Sequence, residues 1–590
     1  MLNFIIGRNN SGKTEKIRAL IAERASENKK CILIVPEQFS FESERSILEK
    51  IGAQKMLNVD ILSFTRLAFV INEQYGKALN KTIDDGTRKV LMSLSLEALS
   101  GKLEYFKRFS SKPALLSNLL TFVTELKQCA VTPDEIAEIS GKTGNKSLGK
   151  KLSELSLIAA SYDALVSRSF FDDENLLTIA ADMISETDFF DGKAVYFDAF
   201  CGFTKQERNC IKSILPKAEN VFISLCTDRD LSREGVSVFE NVNSEFSHLK
   251  ECAAEQNVGV SSPEILNVKE DGRSPELVYL EKYLCGEESE PYKEECDNIV
   301  VCAAGNRADE ADFVACEIKK LLRCNPTLRC RNIAVIERTA GTYDKELSES
   351  FKKYGVPMFE DKRRPIGIQP VMVFVKCLLA LCAEGFSTES FMRLLKTGLT
   401  ALSGDEISEL ENYAFLWNID GSKWRRDFTE NPDGLGFDVT EKSQEKLIRL
   451  NDIRKRSVLP VLAFKKDFEE ADGEKKSRLI YEFLIKNGVT ERLREKIEYL
   501  VSSGDTVLCE EQDTVWATLM DMLGKMASAI GETVITAKRY SELFNILLSA
   551  VTLGSLPQEL DSVTVGAADR IRVSDCKVAF VIGADSGVFP

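Results

Sequence analysis

One histidine, His248, stands in 590 residues, and none of the 16 cysteines forms a C-x-x-C pair. Each scarcity excludes a chemistry. Serine–histidine and cysteine–histidine nucleophiles and histidine-ligated metals all need more imidazole than this chain carries. Cysteines placed singly, or spaced like Cys324/Cys330 and Cys377/Cys382, read as reduced cytosolic thiols, mostly in cores, not as a disulfide frame or zinc site. No run of about 18 apolar residues occurs, so no membrane span is expected. Met1-Leu2-Asn3-Phe4 enters an apolar run with no basic region ahead of it, so no secretory signal is expected and the setting reads as cytoplasmic. Positive charge is also short, 77 Lys and Arg against 92 Asp and Glu, a net charge of −15. Phosphate contacts need concentrated cations, so the surface as a whole is not expected to bind nucleic acid indiscriminately; a basic channel within an acidic protein is not excluded.

What is present starts with Gly7-Arg8-Asn9-Asn10-Ser11-Gly12-Lys13-Thr14, which fits the P-loop pattern G-x-x-x-x-G-K-[ST] directly behind the apolar run Leu2 to Ile6. A buried strand, a glycine-containing turn and a helix starting near Lys13 would aim backbone N–H groups and a helix N-terminus at one spot, where they can hold a polyphosphate. Lys13 would reach the β/γ-phosphates of ATP, and Thr14 would ligate Mg2+. The alternative is a chance match in a turn, but the amphipathic pattern Ile17, Leu20, Ile21 follows in the right place.

The chain is too long for one core, and three or four domains are expected. Cys31 to Val35 and Val59 to Leu62 read as buried parallel strands, so the fold class is α/β. From about 75 to 190 the periodicity is helical, with Gly141 to Lys151 as a polar loop. The sheet resumes at Ala194-Val195-Tyr196-Phe197-Asp198, a strand ending in the carboxylate that a P-loop enzyme uses to hold magnesium. Ala199 follows, where a hydrolysing motor has a glutamate. Another strand, Val221 to Leu225, ends at Thr227-Asp228. Residues 255–296 are polar, with Pro263, Pro275, Pro291 and an acidic cluster Glu287-Glu288-Ser289-Glu290, and read as a boundary. A second α/β unit is expected from strand Ile299-Val300-Val301, a helix through Glu310, Val314 and Ile318, and strand Ile333 to Ile336. Residues 370–550 are again helical, punctuated by Gly398 and the turn Asn431-Pro432-Asp433-Gly434. Strands return at Ser562 to Val565 and Val578 to Gly583, and the chain stops at Pro590, as a piece of a longer protein would.

Two α/β units, each with a helical insertion and the first with a P-loop, resemble the plan of a superfamily 1 DNA helicase. That resemblance divides the chain into domain 1A (1–75 and 190–280), insertion 1B (76–189), domain 2A (295–375 and 555–590) and insertion 2B (376–554). Further motifs stand in order: Val35-Pro36-Glu37-Gln38, Ser63-Phe64-Thr65-Arg66-Leu67-Ala68, Tyr196-Phe197-Asp198-Ala199-Phe200 with Phe203-Thr204, Asn306-Arg307, Leu395-Lys396-Thr397-Gly398 and Ile582 to Pro590. Together with the P-loop, this set resembles the AddB family, the B subunits of the bacterial AddAB ATP-dependent helicase/deoxyribonucleases, over essentially the whole chain. The resemblance implies resection of double-strand breaks for recombinational repair beside an AddA-like motor subunit, contact with single- and double-stranded DNA, and reading of a Chi sequence. It also implies a C-terminal nuclease domain with a cysteine-ligated iron–sulfur cluster, both beyond Pro590, so no cysteine here, Cys509 and Cys576 included, is assigned to the cluster.

Two departures from an active helicase imply a degenerate motor. Ala199 replaces the catalytic glutamate, and Val565-Gly566-Ala567-Ala568-Asp569-Arg570 stands where an active helicase has lysine-glycine-leucine-glutamate-phenylalanine. Arg338 matches a motor arginine that reaches the γ-phosphate, or is a surface arginine at a strand end. Gln38, Ser40, Phe64, Arg66, Phe69, Phe200 and Phe203 fall just after strands and are expected to converge on one sheet edge. There, rings would stack on bases while Gln and Arg read base edges and phosphates. Phe41 reads as core, and Phe64 equally as core or as a stacking ring. Other readings of the chain are an active DNA translocase and a P-loop enzyme acting on a small molecule.

Overall fold

The computed structural model describes residues 1–76, 83–107, 112–169, 173–228, 239–267, 274–283, 290–339, 341–359, 364–504, 506–553, 561–568, 571 and 576–589. The first sheet holds β1 (Leu2–Gly7), β2 (Cys31–Ile34), β3 (Val59–Leu62), β4 (Ala194–Phe197), β5 (Asn220–Cys226) and β6 (Glu264–Ile265), in the order β3-β2-β4-β5-β1-β6. Every neighbouring pair is parallel. The pattern follows from apolar residues on both sides of each central strand, since a parallel sheet is covered on both faces by its crossover helices. Alternate residues supply two cores. Ile5, Cys31, Leu33 and Tyr196 pack with Ile17 and Ile21 of the P-loop helix Lys13–Ser26. Phe4, Ile6, Ile32, Ile34 and Phe197 face helices Phe64–Tyr75, Asp173–Glu186, Lys205–Ile214 and Glu240–Glu255. One strand, β5, separates the P-loop strand β1 from the Asp198 strand β4.

The second sheet is smaller. It contains β7 (Ile333–Glu337), β8 (Met358–Phe359), β11 (Val563–Ala567) and β12 (Val578–Val581), all parallel in the order β12-β7-β11-β8. An antiparallel pair, β9 (Arg364–Pro365) and β10 (Thr552–Leu553), closes the base of the second run of helices. The fold is thus mixed α/β with parallel sheets and many helices. The strand expected at Ile299-Val300-Val301 does not form. Val300 and Val301 are exposed, Val301 at 94%, and no strand pairs with them among the described residues. Just before them, Asp297 N and Asn298 N donate to Glu276 Oε1 (3.2 and 3.4 Å), which holds this stretch against helix Pro275–Tyr283 instead of a sheet.

The polar stretch 141–151 is not a loop either. Helix Pro133–Lys142 gives way after Thr143-Gly144-Asn145 to helix Lys146–Ser169, because Asn145 Oδ1 accepts from Ser147 N and Leu148 N at 3.1 and 3.2 Å and starts the next helix. Polarity marked a solvated helix face, not a break. Helix Asp173–Glu186 packs on the first sheet through Leu176, Ala180, Ala181 and Ile184. Helices Asp85–Ala98, Pro113–Gln128 and Lys146–Ser169 share a single core with those of 370–550, in which Val90, Leu91, Leu120 and Tyr162 lie in one cluster with Leu378, Tyr540, Leu543 and Leu547. Polar contacts tie the same seam. Lys525 Nζ meets Asp84 Oδ2 at 2.8 Å, and Arg539 reaches Glu97 Oε2 and Ser93 Oγ, both at 2.8 Å. Burial opposes the charge on Asp84, but bonds from Lys525 and Thr87 outweigh it and hold the carboxyl below its ordinary range. Gly86 lies close against this seam, where a Cβ would stand 2.5 Å from Leu547 Cδ1 and displace that methyl group.

Among the described residues no helix is long and apolar enough to cross a membrane. The expectation that the cysteines are mostly core is corrected. None of the 14 described forms a disulfide with another described residue, and seven (Cys129, Cys201, Cys296, Cys302, Cys316, Cys324 and Cys576) are exposed, because several stand on the outer faces or at the ends of surface helices. The side chain of Cys509, residues Glu287 to Ser289, and Asp569 and Arg570 lie outside the described residues.

Candidate nucleotide site and sheet edge

β1 ends at Gly7, and the chain turns back through Asn10 (φ 56°) and Gly12 (φ 89°) before helix Lys13–Ser26 begins. Those left-handed backbones suit glycine and asparagine. Gly7 has a second reason: a Cβ there would fall 2.3 Å from Ser11 Oγ and 2.8 Å from the Leu266 carbonyl oxygen. No side chain caps this helix, so its first N–H groups point outward with the positive end of the helix dipole. Lys13 Nζ donates to the carbonyls of Gly7 (2.8 Å) and Arg8 (2.7 Å), which folds the ammonium over the loop. Ser11 Oγ is buried with no hydrogen-bond partner among the described residues. A buried orphan hydroxyl, an uncapped helix start and a lysine on the loop together fit a polyphosphate. Thr14 is half-buried, while Asn9 and Asn10 are exposed. Arg8 leaves the loop sideways. Its Nη1 donates to the Lys282 carbonyl at 3.3 Å, and its guanidinium lies 5.4 Å from the Phe239 ring centre.

Asp198 follows β4 at the same C-terminal edge and is 5% exposed. Its N–H donates to the Ile34 carbonyl at 3.1 Å, and its Oδ1 accepts from Ser224 Oγ at 2.5 Å. Ala199 then adopts φ 65° and is exposed. This left-handed alanine turns the chain away from the sheet with a methyl group where a carboxylate would stand.

Of the residues expected at the strand edge, the structure separates two kinds. Phe64 and Phe203 are buried, each at 6%, and their rings are given to one another and to neighbours. Phe64 lies 5.8 Å from Phe197, 5.5 Å from Phe200 and 6.1 Å from Phe203. Phe69 and Phe200 are half-buried against the same cluster, and Ser40 is half-buried. Arg66 is exposed at the first turn of helix Phe64–Tyr75, where Ser63 Oγ accepts from its N–H at 3.1 Å. Its guanidinium makes no hydrogen bond or ion pair among the described residues. The side chains of Gln38 and Phe41 lie outside the described residues.

Arg338 is exposed directly after β7. Beside it Glu337 is buried and accepts from Gly341 N (2.9 Å) and Tyr343 N (3.3 Å), while burial pushes its carboxyl up. Glu310 links the ends of this sheet, accepting from Tyr343 Oη (2.6 Å) and Gly583 N (2.9 Å). Among the described residues no group of three or more His, Cys, Asp and Glu side chains is placed to hold a metal ion. Sequence reasoning missed Ser224 and the buried pair Thr227 Oγ1 to Asn243 Oδ1 (2.6 Å). The available signal was a serine inside the apolar run Val221 to Leu225, one strand away from the Asp198 strand.

Residues 4–281 match the family model described as "ADDB, N-terminal". Over its whole length the chain is 29% identical to the B subunit of the ATP-dependent helicase/deoxyribonuclease of Acetivibrio thermocellus and 30% identical to the corresponding protein of Thermoanaerobacter sp. (strain X514). A relative of the same name in Clostridioides difficile is 29% identical. Each alignment takes in 100% of this chain and 52% of the relative, so the chain spans about half the length of the curated relatives it matches. Residues 4–281 are thus similar to the N-terminal region of AddB proteins, and the chain as a whole is similar to about half of the helicase/deoxyribonuclease B subunits.

Proposed function

We propose that this chain is the nucleotide- and DNA-binding part of an AddB-type helicase–nuclease component, a superfamily 1-like motor that has lost hydrolysis and scans single-stranded DNA for Chi during double-strand break repair. In this reading 1–75 and 190–280 form domain 1A, 76–189 insertion 1B, 295–375 and 555–590 domain 2A, and 376–554 insertion 2B. The observation that carries it is the contrast at the end of β4, where Asp198 is buried and held while Ala199 presents only a methyl group. Lys13 and the loop N–H groups would bind the phosphates of ATP, with Arg338 facing them from the second sheet. Thr14 and Asp198 would hold magnesium, which when bound neutralises phosphate charge. No side chain at position 199 can take the proton of an attacking water, and the loss of such a base slows hydrolysis by roughly 10²- to 10⁴-fold. The relatives are named as ATP-dependent and as one component of a larger enzyme, which supports nucleotide use and assembly with an AddA-like motor in the cytoplasm. Arg66, Phe69, Phe200, Ser40 and Gln38 are the residues proposed to meet the DNA strand.

The test is steady-state ATPase activity of the purified chain, with and without single-stranded DNA, beside equilibrium binding of a fluorescent ATP analogue. Binding weakened by about 10- to 100-fold in Lys13→Ala, the cost of hydrogen bonds to a charged group, with turnover near background in both proteins, is the expected result. Brisk DNA-stimulated hydrolysis that Lys13→Ala abolishes would sink the inactive-motor reading in favour of an active translocase.

A further inference from the structure

Ser224 is the one polar side chain in the interior of β5. Its neighbours in register are Ile5 on β1 and, one step beyond the Phe197–Ile223 pair, Asp198. It therefore sits between the P-loop strand and the carboxylate strand, on the sheet face covered by the P-loop helix. It is 3% exposed, and a hydroxyl buried to that extent costs free energy unless it is bonded. The hydroxyl's only bond among the described residues runs to Asp198 Oδ1. The second carboxylate oxygen, Oδ2, makes no hydrogen bond there. Two torsions would otherwise let the carboxylate rotate, and this single bond fixes which oxygen is committed to the protein and which is presented at the edge.

We propose that Ser224 is a positioning residue for the magnesium site: by donating to Asp198 Oδ1 from the intervening strand, it fixes the carboxylate so that Oδ2 faces the ion beside Thr14. This deepens the nucleotide reading above and rests on it. Groups that orient a metal-binding side chain change metal affinity by about 10- to 100-fold when removed. A serine that merely satisfied its own hydroxyl would change stability and leave ion affinity alone.

The experiment titrates the 590-residue chain with a fluorescent ATP analogue, once in EDTA and once at fixed nucleotide across a magnesium series. Ser224→Ala is expected to raise the magnesium midpoint about 10-fold or more while affinity in EDTA stays within about two-fold. Ser224→Cys keeps similar volume and a weaker donor, and is expected to fall between Ser224→Ala and the unaltered protein, which separates positioning from a packing defect. An unchanged midpoint in Ser224→Ala, or equal weakening with and without magnesium, overturns the proposal while the nucleotide reading stands. Failure of the unaltered chain to bind nucleotide under either condition overturns both.

Discussion

Unpaired buried hydroxyls occur both at the C-terminal edge of the first sheet, at Ser11, and in the shared helical body, at Thr87 and Thr400, but the cations of the two regions differ. In the body, buried and half-buried cations are spent on structure. Arg454 donates to the Trp424 carbonyl and pairs with Asp427, Lys476 donates to the carbonyls of Phe468 and Ala471, and Arg539 joins Ser93, Glu97 and Glu542. At the sheet edge the Ser11 hydroxyl, the Arg66 guanidinium, Asp198 Oδ2 and the start of the P-loop helix keep their bonding capacity. Leaving the buried Ser11 hydroxyl unpaired costs about 1–3 kcal/mol, which a bound phosphate would offset.

Substitutions at five positions, one of them followed across pH, would break or sharpen that contrast. Leu547→Ala, in the seam between the two helical stretches, is expected to cost about 2–5 kcal/mol in urea-induced unfolding. It should leave ATP affinity of the folded protein unchanged; a parallel loss of nucleotide binding would mean that the body reaches the edge. Arg66→Ala should show the reverse, with no change in unfolding and single-strand affinity weakened by about 0.5–1.5 kcal/mol. The slope of log K against log salt should fall in magnitude by about 0.7, the value for one lost phosphate contact. A slope identical to that of the unaltered chain would remove Arg66 from the DNA path. In the complex with the AddA-like motor the same variant, and Gln38→Ala, should lose the response to Chi while Chi-free DNA is still unwound.

Ala199 offers a smaller effect. A left-handed backbone suits glycine and penalises branched side chains, so Ala199→Val should lose about 1–2 kcal/mol of stability, and Ala199→Gly should gain at most about 1 kcal/mol. Equal melting temperatures for the three would show that no strain is held there. The smallest effect is at Glu276. Backbone N–H bonds and Asn298 Nδ2 (2.9 Å) hold its carboxyl at about 2, below the ordinary 4.5. A depressed carboxyl contributes stability that is fully present above 4.5 and is lost as pH falls toward 2. Unfolding midpoints measured across that window should decline less steeply in Glu276→Gln than in the unaltered chain, and coincident curves would refute the assignment.

The stretch from Gly7 to Thr14 determines its own turn, because glycine spacing, a preceding apolar strand and a following helix are all local. The same holds for the parallel strands that carry Asp198 and for the family likeness, whose motifs lie in order along the chain. Local pattern also misled where a partner decides the outcome. Ile299 to Val301 has strand composition, but Glu276 captures the residues before it. Phe203 stands after a strand, as a stacking ring would, yet Phe197 and Phe200 pack against it, and Phe64, which reads equally as core, is buried in the same cluster. Only the tertiary structure joined helix Asp85–Ala98 to the distant helix Ala537–Ala550, and only strand order put Ser224 beside Asp198. Spacing along a sequence specifies what a segment can become, whereas register between strands and burial between helices are set by contacts among residues far apart in the chain.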